Sequence, residues 1–230
     1  MTSWTDMPLA SFDLETSGID VFTDKVVTGC IVRIDGAKAS AKTWLANPGV
    51  VIPAEATAVH GVSTEHAREH GLPHDEVVAE IVDELYSCWQ EGRYISCFNG
   101  SFDFSLIASN HPRFEVRGLI FDGYVVDRAM DPYRPGKRTL EAVCDHYGVR
   151  LDAAHNAEAD ALAAARLAWK LPRVYPTLAL ASPDSLMASQ TDWYRERAYS
   201  YIDYLRRNHR PYDTVNTAWP IQTPPKATAA

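Results

Sequence analysis

Residues 8–16 read Pro8-Leu9-Ala10-Ser11-Phe12-Asp13-Leu14-Glu15-Thr16. Pro8 to Leu14 is an apolar run of strand length, and side chains two apart on a strand share a face. Asp13 and Glu15 therefore point together, with Phe12 and Leu14 on the opposite side. Two carboxylates side by side at the end of an apolar strand are either a solvated strand face or a pair that must be protonated or neutralised by a cation.

Outward from this run, Val26 to Ile34 and Thr43 to Ala46 read as two further strands, parted from the first by Thr16-Ser17-Gly18 and from each other by the hairpin signal Asp35-Gly36. An antiparallel meander follows. Pro53 to Glu69 reads as short helical pieces. Between Pro73 and Gln90 the residues Val77, Val78, Ile81, Val82, Leu85 and Trp89 recur at helical spacing, which predicts an amphipathic helix with one buried face. Arg93 to Phe98 is a short buried strand, and Asn99-Gly100-Ser101 supplies turn and cap chemistry for a helix through Ile107. Thr139 caps a helix over Leu140 to Tyr147 that stops at Gly148. Asn156 caps an Ala-rich helix, Ala157 to Leu171, ended by Pro172. Three strands followed by alternating helices and strands give an α/β domain of roughly 170 residues on a mixed sheet.

Beyond Pro172 the composition shifts. Tyr194, Ala198, Tyr201, Ile202 and Leu205 share one face of a helix over Asp192 to Arg207, and residues 211–230, rich in Pro, Thr and Ala, read as a loose tail. The predicted organisation is a catalytic domain over 1–172, a helical extension over 173–210 and a flexible tail over 211–230.

Composition narrows the function. The 230-residue chain is 46% hydrophobic and 23% charged, as a globular protein is. Its first residues lack a basic and apolar leader, and no apolar stretch approaches the roughly 18 residues of a membrane span, so a soluble cytoplasmic protein with no membrane partner is expected. Its four cysteines have no C-x-x-C spacing and are expected to be free and buried. A net charge of −8 argues against a protein that coats nucleic acid with Lys and Arg. It is compatible with an acidic site whose metal ions reverse the field that a phosphate meets.

Three more residues carry chemistry. Asp103 falls in the first turn of the helix after Asn99-Gly100-Ser101-Phe102, where a carboxylate also serves simply as a helix-dipole partner. Asp160, near the start of the helix capped by Asn156, has the same alternative. His155 precedes that cap, either as a surface loop residue or as a proton acceptor. His66 and His70 are four apart, but Ala67 stands where the zinc-protease motif needs Glu, so the pair reads as a solvated helix face.

The order Asp13-x-Glu15, Asn99-x-x-x-Asp103 and His155-x-x-x-x-Asp160 resembles the three motifs of the DEDDh branch of the proofreading (epsilon-subunit, or DnaQ-like) exonuclease family. Val59-His60-Gly61-Val62, Thr139-Leu140 and His146-Tyr147-Gly148 add to the resemblance, which covers about residues 8–171. It implies a ribonuclease-H-like mixed sheet flanked by helices, followed here by the C-terminal helical extension. It further implies that Asp13, Glu15, Asp103 and Asp160 bind two divalent cations, Mg²⁺ or Mn²⁺, and that His155 is the general base. Leu14, Thr16, His60 and Phe102 would meet the terminal nucleotide, although strand alternation turns Leu14 away from Asp13. The implied activity is 3′–5′ exonucleolytic release of nucleoside 5′-monophosphates from DNA or RNA, as in proofreading and repair, with a polymerase or another replication or repair protein as a possible partner. A ribonuclease-H- or integrase-like endonuclease and a non-catalytic nucleic-acid-binding module are the competing expectations on this fold.

Overall fold

The computed structural model describes residues 3–152 and 155–224. Strands β1 (Leu9–Thr16), β2 (Val26–Asp35) and β3 (Lys38–Asn47) form the expected meander, with β1 antiparallel to β2 and β2 to β3. All three run longer than the apolar runs alone suggest, because pairing with a neighbour carries polar residues such as Lys38, Ser40 and Lys42 into the ladder. Helices α1 (Ala54–His60) and α2 (Thr64–His70) lead to the short β4 (Leu72–Pro73), then to α3 (His74–Gln90), β5 (Tyr94–Cys97) and α4 (Gly100–Asn110).

Next come β6 (Ile120–Asp122) and α5 (Gly123–Met130), a unit the periodicity does not announce because three residues are too few to show a period. Helices α6 (Leu140–Tyr147), α7 (Ala157–Val174), α8 (Pro176–Leu180) and α9 (Pro183–Arg207) complete the chain. The six-stranded sheet has the order β4-β3-β2-β1-β5-β6, with β5 parallel to β1 and β6 parallel to β5.

Helices α3 and α4 cover one face of this sheet, packing Ile81, Leu85, Phe104 and Ile107 against Phe12, Leu14 and Ile31. On the other face α7 sets its alanines close against β1 and β2, and Leu167 and Leu171 join Trp4, Phe121 and Val126. Small residues permit that close approach, which puts the first turn of α7 over the end of β1.

The boundary expected at Pro172 is not a boundary in packing. Pro172 lies inside the last turn of α7, and Leu178 and Leu186 of the extension belong to the same buried cluster as Trp4, whose Nε1 donates to the Leu178 carbonyl at 2.7 Å. The loose tail expected from residue 211 is likewise corrected over 211–224. Trp219 is buried in the main core, and the Gln222 N–H donates to Ser105 Oγ at 2.8 Å. A single indole in a pocket outweighs the Pro- and Thr-rich composition around it. Residues 225–230 lie outside the described chain. All four cysteines are free and buried, and among the described residues no helix is long and apolar enough to cross a membrane.

Candidate active site

Alternation along β1 sends Asp13 and Glu15 out of the sheet on the α7 side, while Phe12 and Leu14 go to the core. Asp160 stands in the fourth position of α7, after a cap in which Asn156 Oδ1 accepts from the Glu158 and Ala159 amides. That cap fixes where the helix starts, and so where Asp160 lies. One carboxylate oxygen from each of Asp13, Glu15 and Asp160 falls within 4.8 Å of the others.

Asp103 reaches the same place from the other side of the sheet. Its Oδ1 accepts the Leu14 amide at 3.2 Å, at the point where β1 is about to leave the sheet. It can do so because α4 begins directly beyond β5. The cap differs from the one Asn99-Gly100-Ser101 suggests: Asn99 is in the left-handed region at φ 65° and makes no side-chain cap. The buried Asp122 carboxylate caps α4 instead, accepting the Asn99 and Gly100 amides at 2.9 Å each and the Tyr124 amide at 3.0 Å. Trp219 Nε1 donates to the same group at 3.1 Å. Asp122 is a positioning residue that no motif marks; the apolar triplet Leu119-Ile120-Phe121 before Asp122-Gly123 is the one sequence signal pointing to it.

Four carboxylates brought together in this way are poor at holding charge. Burial, then the charges of Asp103, Glu15 and Asp160, raise the Asp13 carboxyl well above the ordinary range. Glu15 is pushed up to about 7 by burial and by Asp160. Asp103 is pushed up to about 8, chiefly by burial, against the pull of its own amide and that of Leu14. Burial also raises Asp160, offset by the His155 N–H. Asp160 Oδ1 is buried and has no hydrogen-bond partner among the described residues. A lone pair left unsatisfied among acidic neighbours fits a hard divalent cation, whose ligands are carboxylate oxygens and water. The donor set contains no thiolate or imidazole cage that would favour zinc.

His155 is exposed, with φ 64° in the left-handed region, and its backbone N–H donates to Asp160 Oδ2 at 3.2 Å. Together with Asp160, Lys137, Thr139 and Leu140 it lines a cavity of about 440 Å³. The loop carrying Lys137 is pinned by Arg134 and Arg138, which both pair with the fully buried Asp127. The ring of His155 is thus held near Asp160 by its backbone, and among the described residues no side-chain partner fixes it.

The remaining candidates divide. Thr16 is buried and spends its hydroxyl on the Gly18 carbonyl at 2.6 Å, closing the turn after β1. His60, at the end of α1, accepts the Val62 amide on Nδ1 at 3.2 Å. Burial lowers its pKa, with the Thr16 backbone pulling the other way, and Nε2 is buried with no closed hydrogen bond. The imidazole thus stands against the Thr16 backbone, at the end of the strand that carries Glu15. Phe102, half-buried, lines a cavity of about 600 Å³ with Ile19, Phe22, Val215 and Asn216. The Leu14 side chain is in the core against Ile81, so only its backbone lies at the acidic cluster, as alternation demands.

Residues 11–168, the span that holds these four carboxylates, match the family model RNase_T, described as Exonuclease. Exonuclease DPD1, chloroplastic/mitochondrial, from Arabidopsis thaliana is 27% identical over 172 residues, 69% of this chain, and the chain spans 54% of that relative's length. In structure the chain is similar to the zinc-bound exonuclease I–ssDNA complex from E. coli, with TM-score 0.63, 20% identity, and 74% of this chain and 41% of that one covered. It is also similar to exonuclease X in complex with 5′-overhanging duplex DNA, with TM-score 0.56, 15% identity, and 79% and 99% covered.

Proposed function

The chain belongs to the RNase_T exonuclease family matched over residues 11–168, and on that premise we propose that it removes nucleotides from the 3′ end of nucleic acid as nucleoside 5′-monophosphates. The observation that carries this reading is the convergence of Asp13, Glu15 and Asp160 on one point, with Asp160 Oδ1 buried and unsatisfied and Asp103 adjoining.

Asp13, Glu15, Asp103 and Asp160 would hold two divalent cations, Mg²⁺ or Mn²⁺. Such ions, when bound, supply an activated water and charge stabilisation at the leaving 3′-oxygen. The chain does the rest. Asp122 fixes the start of α4 and so the reach of Asp103, and Asn156 fixes the start of α7 and so that of Asp160. His155, whose backbone N–H donates to Asp160, would take the proton of the attacking water. The neutral His60, the turn at Thr16, the Leu14 backbone and the half-buried Phe102 ring form the surroundings of the terminal nucleotide.

DNA is the first substrate to try, because E. coli exonuclease I and exonuclease X, to which this fold is similar, are described in complexes with it. End-labelled DNA and RNA strands, single and double, are incubated with Mg²⁺, Mn²⁺ or chelator. The expected products are mononucleotides from the 3′ end, with circular and 3′-blocked strands resistant, chelator abolishing the reaction and Asp13→Ala lowering it by several orders of magnitude. Cutting of circular strands would favour an endonuclease, and undiminished turnover in chelator would overturn the metal reading.

A further inference from the structure

The C-terminal extension, outside the family match, builds a second cleft beside the acidic cluster. It lies between α5 and α9, has a volume of about 580 Å³, and is lined among others by Tyr124, Arg128, Tyr194, Arg197, Tyr201 and Asn216. That volume is within the range of small-ligand sites. Its charge is unusual for this chain of net −8. Several arginines elsewhere pair with carboxylates, Arg134 and Arg138 with Asp127 and Arg195 with Asp192, whereas the lining of this cleft holds two arginines and no Asp or Glu. Arg128 and Arg197 pair with no carboxylate among the described residues. Each instead stands near an aromatic ring, 5.3 Å from the Tyr124 centroid and 5.4 Å from that of Tyr201. Arg128 Nε is buried without a hydrogen-bond partner among the described residues. Tyr201 stacks on Tyr204 at 6.2 Å and leaves more than a third of its surface exposed.

The cleft approaches the acidic cluster along the start of α4. Asn99 lines it, and Asp103 is one helical turn along α4, about 6 Å by helical rise. Ser101 Oγ, between them, donates to Tyr194 OH at 3.3 Å and ties α9 to that turn. The cavity at Phe102 shares Thr214, Val215, Asn216 and Gln222 with it, so the anchored segment before and after Trp219 forms the ridge between the two.

Two uncompensated guanidiniums and accessible aromatic rings at one spot suit phosphates alternating with bases. Resting on the exonuclease reading for what is bound at the acidic cluster, the geometry points to the α5–α9 cleft as the binding site for the single-stranded stretch of nucleic acid just upstream of the 3′ end. Arg128 and Arg197 hold phosphates, and Tyr124 and Tyr201 stack on bases. A rigid duplex cannot offer splayed bases to those rings, so the site selects single strands.

The test is equilibrium binding in chelator, where nothing is hydrolysed. Fluorescent oligo-dT of about 4, 8 and 12 nucleotides, and a duplex of the same length, are titrated into the full chain. Wild type is expected to gain affinity with length and to prefer the single strand. Arg128→Gln, Arg197→Ala and Tyr201→Ala should each weaken the longest strand about 5- to 100-fold and flatten the length dependence. Each Arg change should also reduce the salt slope by about 1. Lys38→Ala, on the distant β2–β3 hairpin, should bind as wild type does. A photoreactive oligonucleotide on unaltered protein should crosslink within 193–201 or 214–222, a readout no folding defect can mimic. Wild-type affinity in all three variants, crosslinks confined elsewhere, or displacement by polyglutamate as readily as by oligonucleotide would overturn the proposal. A wild type that binds strands in this way but never cleaves them would instead sink the exonuclease reading and leave the cleft standing.

Discussion

At the residue scale the acidic cluster trades stability for binding. Glu15 at about 7 and Asp103 at about 8 hold protons more tightly when folded than in the unfolded chain, where carboxyls titrate near 4. The folded state therefore binds more protons between about pH 4 and pH 8. Stability in chelator should fall as pH rises through that window and level off above it, and saturating Mn²⁺ should restore it. Asp13→Asn removes one charge at nearly constant shape. In chelator at pH 8 it should melt at least about 2 °C above wild type while losing activity, and the gap should close at pH 4. A variant that melts lower at pH 8 would mean that the carboxylate's own contacts outweigh the repulsion. His155 separates backbone from ring. Asn tolerates its left-handed φ of 64°, so His155→Asn should alter stability by no more than about 0.5 kcal/mol. If the ring is the base, kcat should fall roughly 10²–10⁴-fold with KM and metal affinity nearly unchanged. Equal kcat in a well-folded variant would remove His155 from the mechanism.

At the element scale the short strand β6 does more than its length suggests. It closes the sheet edge and carries Asp122, which caps both α4 and α5. Its free edge is covered by two side chains of α9, Met187, whose Sδ accepts the Ile120 amide at 3.2 Å, and Gln190. The fully buried Gln190 accepts the Asp122 amide on Oε1 at 2.8 Å and donates Nε2 to the Ile120 carbonyl at 2.8 Å, imitating a neighbouring strand. Gln190→Leu keeps the size and strands both groups, which should cost about 2–4 kcal/mol in denaturant unfolding. Because Asp122 holds Asp103 through α4, the same variant should bind Mn²⁺ more weakly than a surface change of equal destabilisation. A loss under about 0.5 kcal/mol would show that water replaces the amide at that edge. Neither β6 nor its cover is visible as a pattern: three apolar residues have no period, and a glutamine in a helix reads as solvent-facing until a bare strand edge lies beside it.

At the scale of the whole molecule, the extension and the segment around Trp219 complete the same fold that the catalytic motifs occupy. A chain stopped after residue 210 loses the buried Trp219 and its bond to Asp122, and should melt several degrees lower but cooperatively. One stopped after Pro172 uncovers Trp4, the β6 edge and the α5 side, and should aggregate or bind dyes for exposed apolar surface. Full cooperativity in the shorter chain would restore the boundary that composition suggests at Pro172. The sequence by itself determined the meander from Asp35-Gly36, the amphipathic α3 from its helical period, and the pairing of Asp13 with Glu15 from strand alternation. Each of these is local, fixed by backbone geometry within a few residues. The tertiary structure alone decided that Asp160 meets Asp13 and Glu15, that Asp122 caps α4 in place of Asn99, and that Trp219 is core. These depend on contacts between residues some 20 to 150 positions apart, whose worth comes from burial and from satisfying groups that other elements leave bare, and a local pattern carries no record of those.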